Sequence, residues 1–158
     1  MRCVRDMIHV LNLTLNVPAG IDEVFGFMAN IGKLEQVTPP DLHFDVLTPH
    51  STQFAKGIEL EYRLRAFGFP LSWRSRITQW EPPHMFADEQ VSGPYSIWRH
   101  THRFEENAGV TTMTDEIQYE LPFSPFSEVF HPLVRKELDR IFLYRSQYMA
   151  KVLGKAAS

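Results

Sequence analysis

The chain has 158 residues, of which 44% are hydrophobic and 22% charged. This is one domain's worth of chain, long enough to remove roughly two thirds of its surface from water, so disorder as the dominant state is excluded. The net charge of −3 excludes the clustered basic footprint of a nucleic-acid binder and a polybasic membrane patch.

Near the N-terminus, Leu11, Leu13, Leu15 and Val17 alternate with Asn12, Thr14 and Asn16. Period two predicts a strand with one dry face, and the same alternation excludes a signal peptide. Cys3 is the single cysteine, which prevents an internal disulfide and points to a reducing compartment. No apolar run approaches the ~18 residues of a membrane span. A cytoplasmic chain without integral membrane association is therefore expected, with one domain over 1–158, as monomer or homodimer.

Pro18-Ala19-Gly20 ends the first strand. Two short helices follow, one carrying Val24, Phe25 and Met28 and one around Gly32–Gln36, stopped by Thr38-Pro39-Pro40. A strand near Phe44–Leu47 comes next. Ile58, Leu60, Tyr62 and Leu64 then alternate with charged residues, and Leu71, Trp73, Ser75 and Ile77 alternate with polar ones. A tight turn at Gly68-Phe69 joins these two strands. It places Leu60 opposite Ile77, Tyr62 opposite Ser75 and Leu64 opposite Trp73, but also sets Arg63 opposite Arg74.

Met85–Val91 is a shorter strand whose facing the pattern does not settle. Two long strands, Tyr95–Glu105 and Val110–Leu121, are joined around Asn107-Ala108. The rest is helical from Pro132 to Leu153, roughly 33 Å at 1.5 Å per residue. Its apolar stripe is Val134, Leu138, Ile141, Phe142, Tyr148, Met149 and Val152, and Gly154 is the expected stop. The order is strand, two short helices, six strands, one long helix. The fold class is α+β: a curved seven-stranded antiparallel sheet wrapped around the C-terminal helix, with a cavity expected between them.

The last hairpin breaks the apolar pattern. Thr111, Met113, Asp115, Ile117, Tyr119 and Leu121 form the dry face of its second strand, and Trp98, His100, His102 and Phe104 that of its first. The expected register sets His100 opposite Asp115. A buried carboxylate needs a partner, so His100 and Asp115 are the candidate acid–base pair. A purely structural His–Asp tie explains the same residues. His100, His102 and Asp115 also match an open two-histidine, one-carboxylate set, but no further ligand pattern supports it and no metal is expected. Tyr62, Ser75 and Tyr119 share the dry face and offer hydroxyls. Trp73, Trp98, Phe104, Met113, Ile117, Ile141 and Phe142 supply apolar contacts. Arg145 lies near the helix stripe, where it reaches an inward anion or snorkels to the surface. There is no phosphate loop, dinucleotide fingerprint, C-x-x-C pair or G-x-S-x-G elbow, and no cofactor is expected.

Several strings together carry a family resemblance. They are Leu34 with Thr38-Pro39-Pro40, Pro70-Leu71-x-Trp73-Arg74, Trp80-Glu81-Pro82-Pro83, Phe86-x-Asp88-Glu89-Gln90 and Gly93-Pro94-Tyr95. Trp98-x-His100-x-His102-x-Phe104, Thr112-Met113-x-Asp115 and Tyr119-x-Leu121-Pro122 complete the set. The chain resembles the START/Bet v 1-like (SRPBCC) superfamily of helix-grip folds, and within it the bacterial ligand-binding subgroup described as polyketide cyclase/dehydrase-like. The resemblance implies a deep cavity for a small, mostly apolar molecule such as a lipid, polyketide or aromatic. It also implies an alternative, a cyclase, aromatase or dehydratase using the same cavity. It carries no catalytic set common to the superfamily.

Overall fold

A computed structural model describes residues 7–154; Cys3 lies outside them. The elements are β1 (His9–Val17), α1 (Ile21–Met28), α2 (Ile31–Leu34), β2 (Asp45–Val46), β3 (Glu59–Ala66), β4 (Phe69–Glu81), β5 (Met85–Ser92), β6 (Ile97–Asn107), β7 (Val110–Glu120) and α3 (His131–Leu153). Short 3-10 turns sit at Pro40–Leu42 and Phe126–Phe130. This is the expected helix-grip order, with the strands β1-β7-β6-β5-β4-β3-β2 in one antiparallel sheet.

Strands β2 to β7 run as a meander, each beside its successor, while β1 returns to pair with β7. The segment with α1 and α2 must therefore cross from one sheet edge to the other, and it closes one end of the grip. Phe25 of α1 anchors it, packing edge-on against Phe86 and Phe104 and tilted against Trp80. Asn30 caps α2 by accepting from the Gly32 backbone N–H at 2.9 Å, which satisfies one of the free donors at a helix start.

The faces follow the alternation in sequence, but two registers do not. Leu60 pairs with Ser75, Tyr62 with Trp73 and Leu64 with Leu71. The turn residues are Phe67 (φ 51°) and Gly68 (φ 80°), not Gly68-Phe69. In the last hairpin they are Ala108 (φ 51°) and Gly109 (φ 78°), so Trp98 pairs with Tyr119, His100 with Ile117 and His102 with Asp115. Two positive φ values in a two-residue loop define the turn that matches strand twist. Each hairpin is thus offset by two residues from expectation. An offset of two leaves every side chain on its face, because the pleat repeats every two. It also resolves the Arg63–Arg74 conflict: Arg74 faces Glu61 and Arg63 faces Ser72.

A non-glycine residue in the left-handed region carries strain of roughly 1–2 kcal/mol. Asn tolerates that region better than Ala. Ala108→Asn is therefore expected to raise stability by about 0.5–1 kcal/mol. A urea midpoint that falls would contradict the turn assignment.

Helix α3 buries Leu138, Phe142, Met149 and Leu153, spacings that keep one stripe against the sheet. Val152 of the expected stripe is 40% exposed. Gly154 caps the helix with φ −68°, so the expected left-handed stop is not used. The apolar packing divides into two clusters. One joins α1 to Phe86, Phe104, Met113 and Met149. The other joins α3 to Leu11, Trp98, Ile117 and Tyr119.

Candidate functional site

Between the two clusters lies a cavity of about 650 Å³. Strands β3 to β6 supply one wall and Val134, Leu138, Ile141, Phe142 and Arg145 of α3 the other. Of the residues expected from sequence, Tyr62, Trp73, Ser75, Trp98, His100, His102, Ile141, Phe142 and Arg145 line it. Phe104, Met113 and Ile117 do not. They are buried in the packed clusters on either side, because period two assigns a face but not a position along the grip. Tyr119 is also fully buried away from the cavity, and its hydroxyl meets His131 Nε2 at 2.9 Å.

Asp115 lies behind the cavity wall on β7, where it organises both histidines. His100 Nε2 donates to Asp115 Oδ1 at 2.9 Å; a carboxylate oxygen only accepts, so this fixes the proton on that nitrogen. His102 Nδ1 sits 2.6 Å from the same oxygen, out of line for a hydrogen bond. The two rings lie 3.8 Å apart. His102 stacks on Phe86 at 4.2 Å, and His100 meets the edge of Phe142 at 5.5 Å. With the two-residue offset, the expected directly opposed pair becomes a diagonal one, and His102 takes the position across from Asp115.

Burial alone would raise the Asp115 carboxyl. The charge on His102 and the two histidine contacts outweigh it and hold the group far below the usual carboxylate range. Burial opposes charge on His102 too, but Asp115 beside it raises its pKa above the ordinary value. Burial, and then the His102 charge, push His100 down. One proton therefore sits on His102 in preference to His100.

Asp88 and Tyr95 are among the wall residues that the sequence did not mark as site residues. Asp88 of β5 lines the cavity, with Oδ2 3.7 Å from His102 Nε2. Its facing was obscured because Asp88, Glu89 and Gln90 are three polar residues in succession. A register irregularity in β4 between Ile77 and Gln79 adds to this. Tyr95 also lines the cavity, packed on Trp73 and Trp98. Arg145 does not snorkel. It occupies the inward stripe with Leu138, Phe142 and Met149, its guanidinium 4.9 Å from the Phe142 ring centre. Its Nε is buried with no acceptor, and burial lowers its pKa. Tyr62 faces the same space with its hydroxyl 3.4 Å from Ser75 Oγ, and burial raises its pKa.

The mouth is marked by residues that line the cavity and yet are exposed: Phe67 and Phe69 at the β3–β4 turn, and Phe130 and Leu133 before and within α3. The segment leading into α3 is held by a cluster outside the cavity. His9 Nε2 and Glu128 Oε2 are 2.7 Å apart, and the His9 and His131 rings stack at 3.6 Å. Burial, then His9, hold the His131 pKa below its ordinary value; Arg135 acts the same way and Glu128 opposes. The folded chain thus prefers neutral His131. Its contribution is lost as pH falls below about 6.5, the unfolded value, through the lowered folded one. A melting temperature that drops less between pH 7 and pH 5 in His131→Gln than in the parent is the expected result.

No helix among the described residues is long and apolar enough to cross a membrane. No curated protein matches the chain. Solved structures do. The Zhui aromatase/cyclase from Streptomyces sp. R1128 superposes with a TM-score of 0.76 at 13% identity, covering 96% of each chain. The protein TTHA0849 from Thermus thermophilus gives 0.75 at 14% identity, covering 95% of this chain and 100% of that one. A START superfamily protein from Mycobacterium smegmatis gives 0.69 at 10% identity, covering 94% and 99%. At these identities the likeness is one of fold. The family model described as polyketide cyclase / dehydrase and lipid transport matches residues 17–142. The chain belongs to that family, and its fold resembles that of the START superfamily protein and the aromatase/cyclase.

Proposed function

We propose that the chain binds one small, mostly apolar molecule, a lipid, polyketide or aromatic, between the sheet and α3. The observation that carries this reading is the cavity of about 650 Å³, inside the range of roughly 300–1,000 Å³ typical of small-molecule sites. Aromatic walls would hold the ligand body, and the few polar groups would orient one polar end. Arg145 gives that end a sign. A guanidinium on the core stripe of a helix, with a buried Nε lacking an acceptor, suits an anionic oxygen. The protein would act in the cytoplasm, in keeping with its single cysteine.

The test compares a long-chain carboxylic acid with the matching alcohol by fluorescence titration of the cavity tryptophans. The acid is expected to bind at least tenfold tighter, and Arg145→Met to erase the difference. Equal affinity in the parent would contradict an anionic end.

A catalytic reading has one observation behind it. Because His100 donates through Nε2 to Asp115, its other ring nitrogen is left as an acceptor. That arrangement suits proton transfer on a ketone-rich ligand. His100→Ala protein that turns over such a substrate undiminished would remove this reading.

A further inference from the structure

The polar chain in the cavity wall has a second geometric property. Asp88 pairs directly with His100 across β5 and β6, and His102 follows two residues along on the same face. One donor atom from each of Asp88, His100 and His102 lies within 4.8 Å of the other two. The 3.7 Å from His102 Nε2 to Asp88 Oδ2 is too long for a hydrogen bond. It is close to the ~3.4 Å separating two donors that each sit ~2.1 Å from one tetrahedral ion.

Asp115 bonds His100 Nε2 and lies close to His102 Nδ1, while His102 Nε2 is the nitrogen near Asp88. Histidines that bind metals commonly give their second nitrogen to a carboxylate, which fixes the ring and its tautomer. Here Asp115 holds His100 by a hydrogen bond and His102 by close charge contact, and leaves the other nitrogen of each ring without a hydrogen bond. We propose that Asp88, His100 and His102 form a binding site for a divalent first-row transition ion, with Asp115 as its positioning residue. The sequence alone offers His100, His102 and Asp115 as the set, with no metal expected; here Asp88 takes the place of Asp115 as the oxygen ligand.

Charge supports the assignment. Two carboxylates, half-buried Asp88 and buried Asp115, flank the two buried imidazoles. A divalent ion on neutral imidazoles offsets both negative charges. Two nitrogens and one carboxylate suit Zn²⁺ or Fe²⁺ over Mg²⁺ or Ca²⁺, which prefer oxygen. Three protein ligands leave positions open, and the ligands line the cavity, so an oxygen-bearing ligand end would complete the coordination. The second His-carboxylate group, His9, Glu128 and His131, is already internally paired: Glu128 bonds His9 and Tyr119 meets His131.

This site needs no organic ligand, so its test is separate from the binding reading above. The full-length chain is stripped with chelator and titrated with Zn²⁺ and with Co²⁺, read by metal analysis after equilibrium dialysis and by visible Co²⁺ absorption. One ion per chain is expected, with Kd of about 1 µM or tighter. Asp88→Asn, nearly isosteric with the parent, and His102→Gln are each expected to weaken binding at least 100-fold, and Asp115→Asn by about 10–100-fold. Near-UV circular dichroism of Asp88→Asn confirms that its fold is kept. His9→Gln is expected to bind as the parent does. Absence of stoichiometric metal in the parent would overturn the proposal. Loss of the ion in His9→Gln with retention in Asp88→Asn would overturn it equally, by placing the ion at the outer cluster. Bound metal would also occupy the nitrogen that the catalytic reading needs free, so stoichiometric binding argues against proton transfer by His100.

Discussion

Asp115→Ala, measured in chelator, is expected to lower the unfolding free energy by about 3–5 kcal/mol. A domain holds only ~5–15 kcal/mol in total, so this single change removes a large share of it. The reason is local. His100 and His102 are each about 5% exposed or less, and both lean on one oxygen of Asp115. Without that carboxylate, the His100 Nε2–H is left buried with no acceptor, and His102 loses the partner that holds its proton against burial. Asp115→Asn keeps the shape and an acceptor for His100, so it is expected to lose less. Guanidinium unfolding checks both. A loss below about 1 kcal/mol for Asp115→Ala would show that the carboxylate is not what stabilises the pair.

Ile141→Trp is expected to weaken ligand binding at least 100-fold while leaving stability within about 1 kcal/mol of the parent. Ile141 is half-buried on α3 and lines the cavity. A larger side chain there projects into open volume instead of into packed core, so the overpacking cost of roughly 1–3 kcal/mol seen in filled interiors does not fully apply. Titration with the same long-chain acid used for Arg145 checks it. Unchanged affinity together with unchanged stability would mean that the ligand does not occupy the space beside α3.

What could be read from residues alone follows from which periodicities are local. Alternation along β1, β3, β4, β6 and β7 assigned the dry faces correctly, because a side chain's face depends only on its own strand. Pairing depends on the turn, and both turns use unexpected residues. Phe67-Gly68 and Ala108-Gly109 adopt the doubly positive-φ geometry usually signalled by Asn-Gly. The offset changed His100's direct partner from Asp115 to Ile117 but kept all three polar residues on one face. The His–Asp constellation therefore survived a wrong register.

Other parts were hidden for different reasons. Asp88 lies in β5, whose polar run shows no alternation, so the fourth member of the polar chain was missed. Arg145 was legible in principle: with Leu138, Phe142 and Met149 it falls at 3.6-residue spacing on the buried stripe. Its length allowed a snorkelling alternative that only the packing around it resolves. The exposed rim of Phe67, Phe69 and Phe130 gave no signal, because loop aromatics carry no periodicity. Tyr119 shows the limit of facing as a guide: it is inward as expected, yet its hydroxyl bonds His131 and not the cavity.

A ligand is proposed to occupy the space between the sheet and α3. Native mass spectrometry of gently purified protein, set beside its denatured mass, tests this most directly. A discrete extra mass is expected that denaturation releases, that extraction identifies as a largely apolar molecule, and that Ile141→Trp abolishes. A bare chain mass that persists after incubation with fatty acids, polyketides and aromatic acids would contradict it.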